Sequence, residues 1–456
     1  MKKTIHQAAL VVTVLAFIFS FPQFAFAVGS SGFENASYSA RSLGQSNAVV
    51  ARPEEPSTIV FNPAGIPELK GVQFQMDLAG LTTHTWYKNP STGDIEMNTP
   101  QLVLIPTGFA TANLGEAFDN RLGVGIGMTY PFGLNNRYES HGVARYVGHN
   151  NRIKILGLTM AAGYQVTDKF NVGGGAVYYN MYQYDQVLNY PNSFILSTPG
   201  LADGRAKTYF SGKGWGWIAS SLYKITKKHQ VGVFYRSKAN VKAHGRVKIE
   251  DLQFGQLQGF STTPYWESAG KTDVNLPSNL TIGYAYIPSD KWAWELDLGW
   301  THWSVFSDQN FEWDDANTVI NSLGTISRNY HNTLSLNTGG HYRLNDKFDL
   351  LAGMFMYSAA SPEDHFDAVI PDAARIAGTF GFTYNITKKL DFSATYLSLF
   401  FLERSIHNQA IIDKSGTSID GKYSTFIHGF MTGFTYRFGD QTDGVLKPSN
   451  GHVEPL

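Results

Sequence analysis

The chain has 456 residues and carries 36 basic against 37 acidic side chains, so no strong field points to nucleic acid or to a highly charged partner. It has no cysteine, which excludes a disulfide framework and a cysteine metal cluster. Aromatic residues make up 14%, and past the first 27 residues no apolar run is long enough for a membrane-spanning helix.

The chain opens "MKKTIHQAALVVTVLAFIFSFPQFAFA". Lys2 and Lys3, an apolar run from Ala8 to Phe21 and the small-residue pattern Ala25-Phe26-Ala27 predict a secretory signal peptide over 1–27, cut after Ala27. Its loss takes the formal net charge from −1 to −3. An exported, aromatic-rich chain without spanning helices has one membrane solution, a closed β-barrel that pairs all its own backbone groups.

Residues 28–71 come next and include "ASYSARSLGQSNAVVARPEEPSTIVFNPAGIPEL". They are too many for a lead-in and too few for a domain of their own, so they are expected inside the barrel as a hatch. From residue 72 the pattern becomes stretches of about ten residues alternating apolar and polar. In "KWAWELDLGWTHW", Trp292, Trp294, Leu296, Leu298 and Trp300 oppose Ala293, Glu295, Asp297 and Gly299. In "HQVGVFYRSKANVKAHGRV", Val231, Val233, Tyr235, Ala239, Val241 and Ala243 share one parity, read as lipid-facing.

Short turns recur, "VTDKF", "ITKKH", "PSDKW", "LNDKF" and "ITKKL", with "GEAFDN" as a looser sixth, while long polar connections lie at 189–207, 250–271 and 308–328. That asymmetry is the one an outer-membrane barrel has between its periplasmic and extracellular ends. Fourteen antiparallel strands are predicted at 72–87, 99–115, 120–138, 152–166, 170–186, 207–225, 229–249, 271–288, 291–312, 329–344, 347–358, 372–387, 389–403 and 423–438. The last, "FIHGFMTGFTYRF", looks like a terminal assembly signal. The barrel so defined covers 72–438, and 439–456 read as a loose periplasmic tail.

One strand breaks the rules. "GVGIGMTYPFGLNN", residues 123–136, alternates glycines with Val124, Ile126 and Met128 and then places Pro131 where the strand still runs. Proline donates no ladder bond and belongs at edges or bulges. With Val124, Ile126, Met128, Tyr130 and Phe132 toward lipid, Gly123, Gly125, Gly127, Pro131 and Gly133 face the lumen. The proline then lets neighbouring strands part, or else marks a bulge with no transport role.

Taken in order, several segments resemble the FadL family of outer-membrane importers of long-chain fatty acids and other hydrophobic compounds. They are "SLGQSNAVVA" with Asn62-Pro63-Ala64, "GWGWIASSLYKITKKHQVGVFYRS", "NLPSNLTIGYAY", "WTHWSVF" and "IPDAARIAGTFGFTYNI". The resemblance implies a 14-stranded barrel closed by an N-terminal hatch. It also implies ligand capture outside, passive transport without a cofactor, and lateral release where strand three bends inward. Gly127, Tyr130, Pro131, Phe132 and Gly133 fall at that bend.

By the same resemblance Arg375 of "PDAAR" lies near a ligand headgroup, the other reading being a lumen ion pair. His331 stands in place of a family lysine and shares the inward parity. Leu397, Leu399 and Phe401 turn apolar side chains inward, as ligand lining or as packing for the hatch. Asn62 is implied to hold the hatch by hydrogen bonds near the bend, or simply to shape the Asn-Pro turn. The strand "GGAVYYNMYQYDQ" lacks a family headgroup arginine and has Tyr184, Asp185 and Gln186 there, which leaves fatty acids and aromatic hydrocarbons both open as substrates.

No HExxH, P-loop or local Ser/His signature is present, so no enzyme activity, metal or cofactor is expected. The expected partners are hydrophobic small molecules and outer-membrane lipid, with the protein a monomer in the bacterial outer membrane. A general porin for hydrophilic solutes and a barrel lipid hydrolase are the alternatives.

Overall fold

In the computed structural model, residues 32–195, 200–251, 265–315, 324–407 and 418–438 are described. The expected signal peptide and C-terminal tail lie outside them.

The repeated turns show how the chain reverses at one end. Thr167, Thr226, Ser289, Asn345 and Thr387 each turn a side-chain oxygen back to accept the backbone N–H two residues on, at 3.3, 3.1, 3.3, 2.9 and 3.1 Å. This local bond lets each turn close in four residues, with a Lys at the third position. Between the turns run β1 (Val72–Lys88), β2 (Leu102–Asn113), β3 (Leu122–Arg137), β4 (Asn150–Thr167), β5 (Phe170–Tyr190) and β6 (Gly204–Lys224). Next, β7 (His229–Arg236 and Ala239–Glu250) and β8 (Tyr265–Leu276 and Asn279–Ser289) are each broken in two. The ring continues through β9 (Trp292–Thr301), β10 (Thr333–Arg343), β11 (Phe348–Tyr357), β12 (Arg375–Asn385), β13 (Leu390–Ile406) and β14 (Gly421–Phe438). β14 pairs with β1 from Val72–Phe438 to Lys88–Lys422 and closes a 14-stranded antiparallel barrel.

Alternation holds on most strands. Leu298 and Trp294 are exposed, while Ala293, Glu295 and Asp297 between them are buried. It fails on β7, where the expected lipid-facing run continues only to Tyr235. At Ser237 and Lys238 the strand breaks, with Ser237 N–H bonded to the Trp217 carbonyl at 2.9 Å. Beyond it Ala239, Val241 and Ala243 are buried and Asn240, Lys242 and His244 face out. Against β6 the register slips by one residue across the break, from Ile218–Arg236 to Lys213–Lys242, and a slip of one turns every following side chain to the other face.

The segment 32–71 lies within the ring and meets its inner wall on several sides. Ser39 caps the short helix α1 (Ala40–Gly44), and the Ala40 N–H reaches Asp77 of β1 at 2.8 Å. Arg41 bonds Asp349 of β11 at 3.1 Å and Thr383 of β12 at 2.9 Å. The Ala51 N–H and the Arg52 guanidinium bond the Glu295 carboxylate of β9 at 2.5 and 3.0 Å. Asp297 accepts the N–H groups of Val49 and Val50 at 3.2 and 3.4 Å. Burial opposes ionisation of Glu54, but His341, Arg52 and Arg41 around it hold its carboxyl well below the usual range.

Backbone approaches the wall closely where the wall is glycine. A Cβ on Gly163 would sit 2.3 Å from the Pro63 carbonyl oxygen, and one on Gly173 2.3 Å from the Ala64 nitrogen. At Gly232 it would meet the Val50 carbonyl at 2.3 Å.

Gly232→Val therefore pushes on backbone that cannot swing away and should destabilise the seated segment by about 1–3 kcal/mol, read as a lower unfolding midpoint in urea. Arg52→Met leaves the Glu295 carboxylate buried without its cation, a loss of roughly 3–5 kcal/mol. Trypsin should then cut at Arg41 and Lys70 while the barrel itself keeps its heat-modifiable mobility on a gel.

Candidate functional site

Two prolines face one interruption of the wall. β2 stays paired with β1 through Thr82–Leu102, but with β3 it pairs only over Gly108–Met128 to Asn113–Gly123. On its other flank β3 remains on β4 as far as Arg137–Asn150, with a bulge between Thr129 and Phe132. Residues 102–107 and 129–136 therefore carry no mutual ladder until the Thr99 N–H meets the Arg137 carbonyl at 2.7 Å. Pro131 lies in the bulge and Pro106 on the unpaired part of β2, each lacking the N–H a ladder would use. Gly157 of β4 makes room for the Pro131 ring, since a Cβ there would lie 3.1 Å from its Cδ.

The chain's own N-terminal end covers the freed edge of β3. The Asn35 N–H bonds the Pro131 carbonyl and the Gly133 N–H bonds the Phe33 carbonyl, both at 2.8 Å. The Asn35 side-chain amide adds a bond to the Tyr130 carbonyl at 3.1 Å. Glu34 and Phe132 face each other in this antiparallel bridge. Arg236 clamps it, with a nitrogen 2.5 Å from Glu34 and its guanidinium 4.9 Å above the Phe132 ring. Asp372 accepts the Gly32 N–H at 3.0 Å.

Beside this bridge lies an aromatic cluster. Phe33 meets Trp303 and Phe306 at 5.2 Å each, and Tyr330 meets Phe306 at 5.3 Å and Trp303 at 5.8 Å. Arg328, 3% exposed, pairs with Asp367 and lies 5.8 Å from the Phe306 ring. Burial opposes its charge, but Asp367 and the tyrosine hydroxyls keep it fully protonated. Among the described residues, Arg328 Nε, Tyr330 OH, Trp303 Nε1 and Gln309 Nε2 are buried here without a hydrogen-bond partner. All four can donate and only the hydroxyl can also accept, so the cluster suits an oxygen acceptor held among aromatic rings.

A small pocket within the N-terminal segment is lined by Arg41, Gln45, Arg52, Glu54, Glu55 and Phe61. Its charged walls do not suit a hydrocarbon.

The predicted residues meet different fates. Gly123, Gly125 and Gly127 face inward, where added Cβ atoms would strike Ile66, Ile59 and Phe109. Phe132 does not face lipid: the bulge turns it inward, fully buried against Phe33, Tyr179 and Trp303. Tyr130 is likewise buried, edge-on to Tyr182. Gly133 supplies the backbone bond to Phe33.

Asn62 caps the turn over Pro63 and Ala64, but its wall bond goes to the Ser221 carbonyl of β6 at 3.0 Å and not to β3. Register explains this, because Gly163 and Gly173 seat the turn lower on the wall. Arg375 is buried in an ion pair with Asp372, its guanidinium 4.1 Å from the Phe401 ring. His331 is exposed and lies outside β10, so its inward parity does not hold; the buried neighbours are Arg328 and Tyr330. Leu397, Leu399 and Phe401 turn inward into an apolar cluster with Leu43, Ile105 and Tyr130. Tyr184 donates to Gln309 at 3.2 Å, Asp185 pairs with Arg152 at 3.3 Å, and Gln186 donates to the Val147 carbonyl at 3.0 Å.

Sequence reasoning missed Arg328, Arg236 and Pro106. The "IP" dipeptide in a strand was a signal for Pro106. Nothing local marks the two arginines, since their partners are distant in the chain.

Residues 23–438 match the family model described as outer membrane protein transport protein (OMPP1/FadL/TodX). Outer membrane protein P1 of Haemophilus influenzae is 24% identical over 415 residues, covering 81% of this chain and 86% of its own. A long-chain fatty acid transport protein of Escherichia coli is 22% identical over 304 residues, covering 61% and 67%. Among solved structures, a Pseudomonas aeruginosa FadL homologue superposes with a TM-score of 0.77 at 19% identity, covering 90% of this chain and 100% of its own. The P. putida toluene transporter TodX gives 0.66 at 16% identity, covering 89% and 99%. The likeness to these structures establishes the barrel fold, and the match of the family model across most of the chain establishes the rest: this protein belongs to the OMPP1/FadL/TodX family of outer-membrane transport proteins.

Proposed function

We propose that the protein passively carries hydrophobic molecules bearing an oxygen acceptor, with long-chain fatty acids as the reference substrate, and releases them sideways through the wall at β3. The residues 33–69 act as a hatch. The observation that carries this reading is the loss of pairing between β2 and β3 beyond Gly108–Met128, where among the described residues Phe33–Asn35 bond the freed edge of β3. A barrel in lipid has no reason to leave such an edge unless something passes it.

The four unpartnered donors around Arg328 support a ligand with a carboxylate or similar oxygen over a bare hydrocarbon. Leu397, Leu399 and Phe401, with Tyr130 and Leu43, offer the apolar lining for a chain. Each CH₂ that leaves water gains about 0.8 kcal/mol, so exit into the bilayer is favoured over an aqueous pore. Arg375 serves by holding Asp372, and through it Gly32, in place.

Glu34 and Phe132 form the close kind of antiparallel pair, flanked by their neighbours' backbone bonds, with Cα atoms about 4.5 Å apart. In this cysteine-free chain Glu34→Cys with Phe132→Cys should form a disulfide that pins the bridge. Oxidised cells should lose accumulation of labelled oleate and recover it on reduction; unchanged uptake in the locked state defeats lateral release.

Tyr330→Phe removes a hydroxyl that has no protein partner, so it leaves stability intact. Oleate uptake should fall about three- to tenfold, as for one lost hydrogen bond, with toluene uptake unchanged. Equal loss of both assigns Tyr330 to packing, and uptake of hydrophilic solutes alone makes the protein a porin.

A further inference from the structure

Outside the wall, the extracellular ends of β6, β7 and β8 carry an uneven distribution of charge. Strand register places outward side chains in rows. Lys213 of β6 faces Lys242 of β7, which faces Asp273 of β8. One row higher stand Ser211, His244 and Lys271. All six side chains are exposed. Two rows higher again the cations are matched, Arg246 by Glu267 at 3.2 Å and Lys207 and Lys248 by Glu250 at 2.6 and 2.9 Å. Lys271 reaches Glu312 at 2.9 Å. Among the described residues Lys213, Lys242, Lys238 and His244 make no ion pair. The acids of these two rows are Asp273, opposite Lys242, and Glu312, opposite Lys271.

Like charges directly opposite each other on a sheet destabilise the pair. Lys213 and Lys242 are such a pair, and an anion between them removes the cost. Their height on the barrel indicates which anion. Trp215 and Trp217 follow Lys213 on the same outward face, with Tyr235 beside Trp217 at 5.1 Å between ring centres. Exposed aromatics of this kind mark the boundary of the hydrocarbon. Lys213 lies two residues beyond Trp215, about 7 Å along the strand, which is the depth of the headgroups. The side chains point sideways there, where membrane lipid is the neighbour, and past the break at Ser237–Lys238 the side chains of Lys242 and His244 face outward at that depth.

We propose that Lys213, Lys242 and His244 form a binding site for the phosphate groups of an outer-leaflet glycolipid, fixing one lipid to the barrel wall at β6–β7. The site lies on the outer face of the wall and takes no part in the transport reading, which can fail while this stands.

The test is native mass spectrometry of the full-length protein in detergent with bisphosphorylated lipid A, with the same lipid after enzymatic dephosphorylation, and with inorganic phosphate as competitor. Wild type should retain one lipid A, bind the dephosphorylated lipid about tenfold less, and keep its lipid in millimolar phosphate. Lys213→Ser with Lys242→Ser should reduce retention about tenfold, and Lys207→Ser, whose lysine is matched by Glu250, should not. Heat-modifiable mobility checks that each variant is folded. Equal retention of both lipids, or by the double variant, overturns the proposal. Complete displacement by inorganic phosphate overturns it in favour of a free-anion site.

Discussion

No water reaches a backbone amide inside the hydrocarbon of a bilayer, and each unpaired N–H or carbonyl there costs several kcal/mol. Everything else in this molecule follows from how it meets that requirement. Thirteen of the fourteen strand junctions carry ladders over most of the wall, and the junction of β2 with β3 does not. There the chain satisfies β3 with its own N-terminal backbone, Phe33 and Asn35 standing in for the missing strand. A covalent neighbour is permanent, whereas a three-residue strand held by a few bonds and one Glu34–Arg236 pair is removable. At that junction residues 33–35 are bonded to the edge of β3 in place of a neighbouring strand.

The weak place is isolated from the strong attachment below it. Ala40, Val49, Ala51, Arg41 and Arg52 are tied to carboxylates on β1, β9 and β11 that are themselves buried, and breaking any one of these strands a charge. Residues 33–35 have one ion pair, Glu34 with Arg236, beside backbone bonds and aromatic contacts. A small displacement at the bridge need not disturb the ionic anchor, so a local opening costs much less than expelling the segment. The aromatic cluster with its unpartnered donors touches the bridge through Phe33.

Much of the wall was legible because its signals are local. Turns such as "ITKKH" contain both the residue that accepts the turn bond and the ones that end the strand, and the alternation of Trp292 to Trp300 needs only the bilayer to interpret it. The glycines of β3 were read correctly for the same reason. Alternation misled at Phe132 and at Ala239, where one bulge and one break each turned the following residues over. His331 was placed by extending parity past the end of a strand. The Asn62 wall bond was assigned to the wrong strand because the height at which a turn seats depends on glycines in β4 and β5 far along the chain.

The sequence by itself determined the class of solution: an exported, cysteine-free chain with fourteen amphipathic stretches can pair its backbone in lipid only as a closed barrel. It also marked the flaw, a proline inside a strand. What only the tertiary structure decided is which residues meet at that flaw. Whether a gap in a ladder is a defect, a bulge or a closed door depends on which other segment reaches it, and Phe33–Asn35, Arg236 and Arg328 come from separate parts of the chain. Their meeting is set by barrel closure and register, which no local pattern encodes.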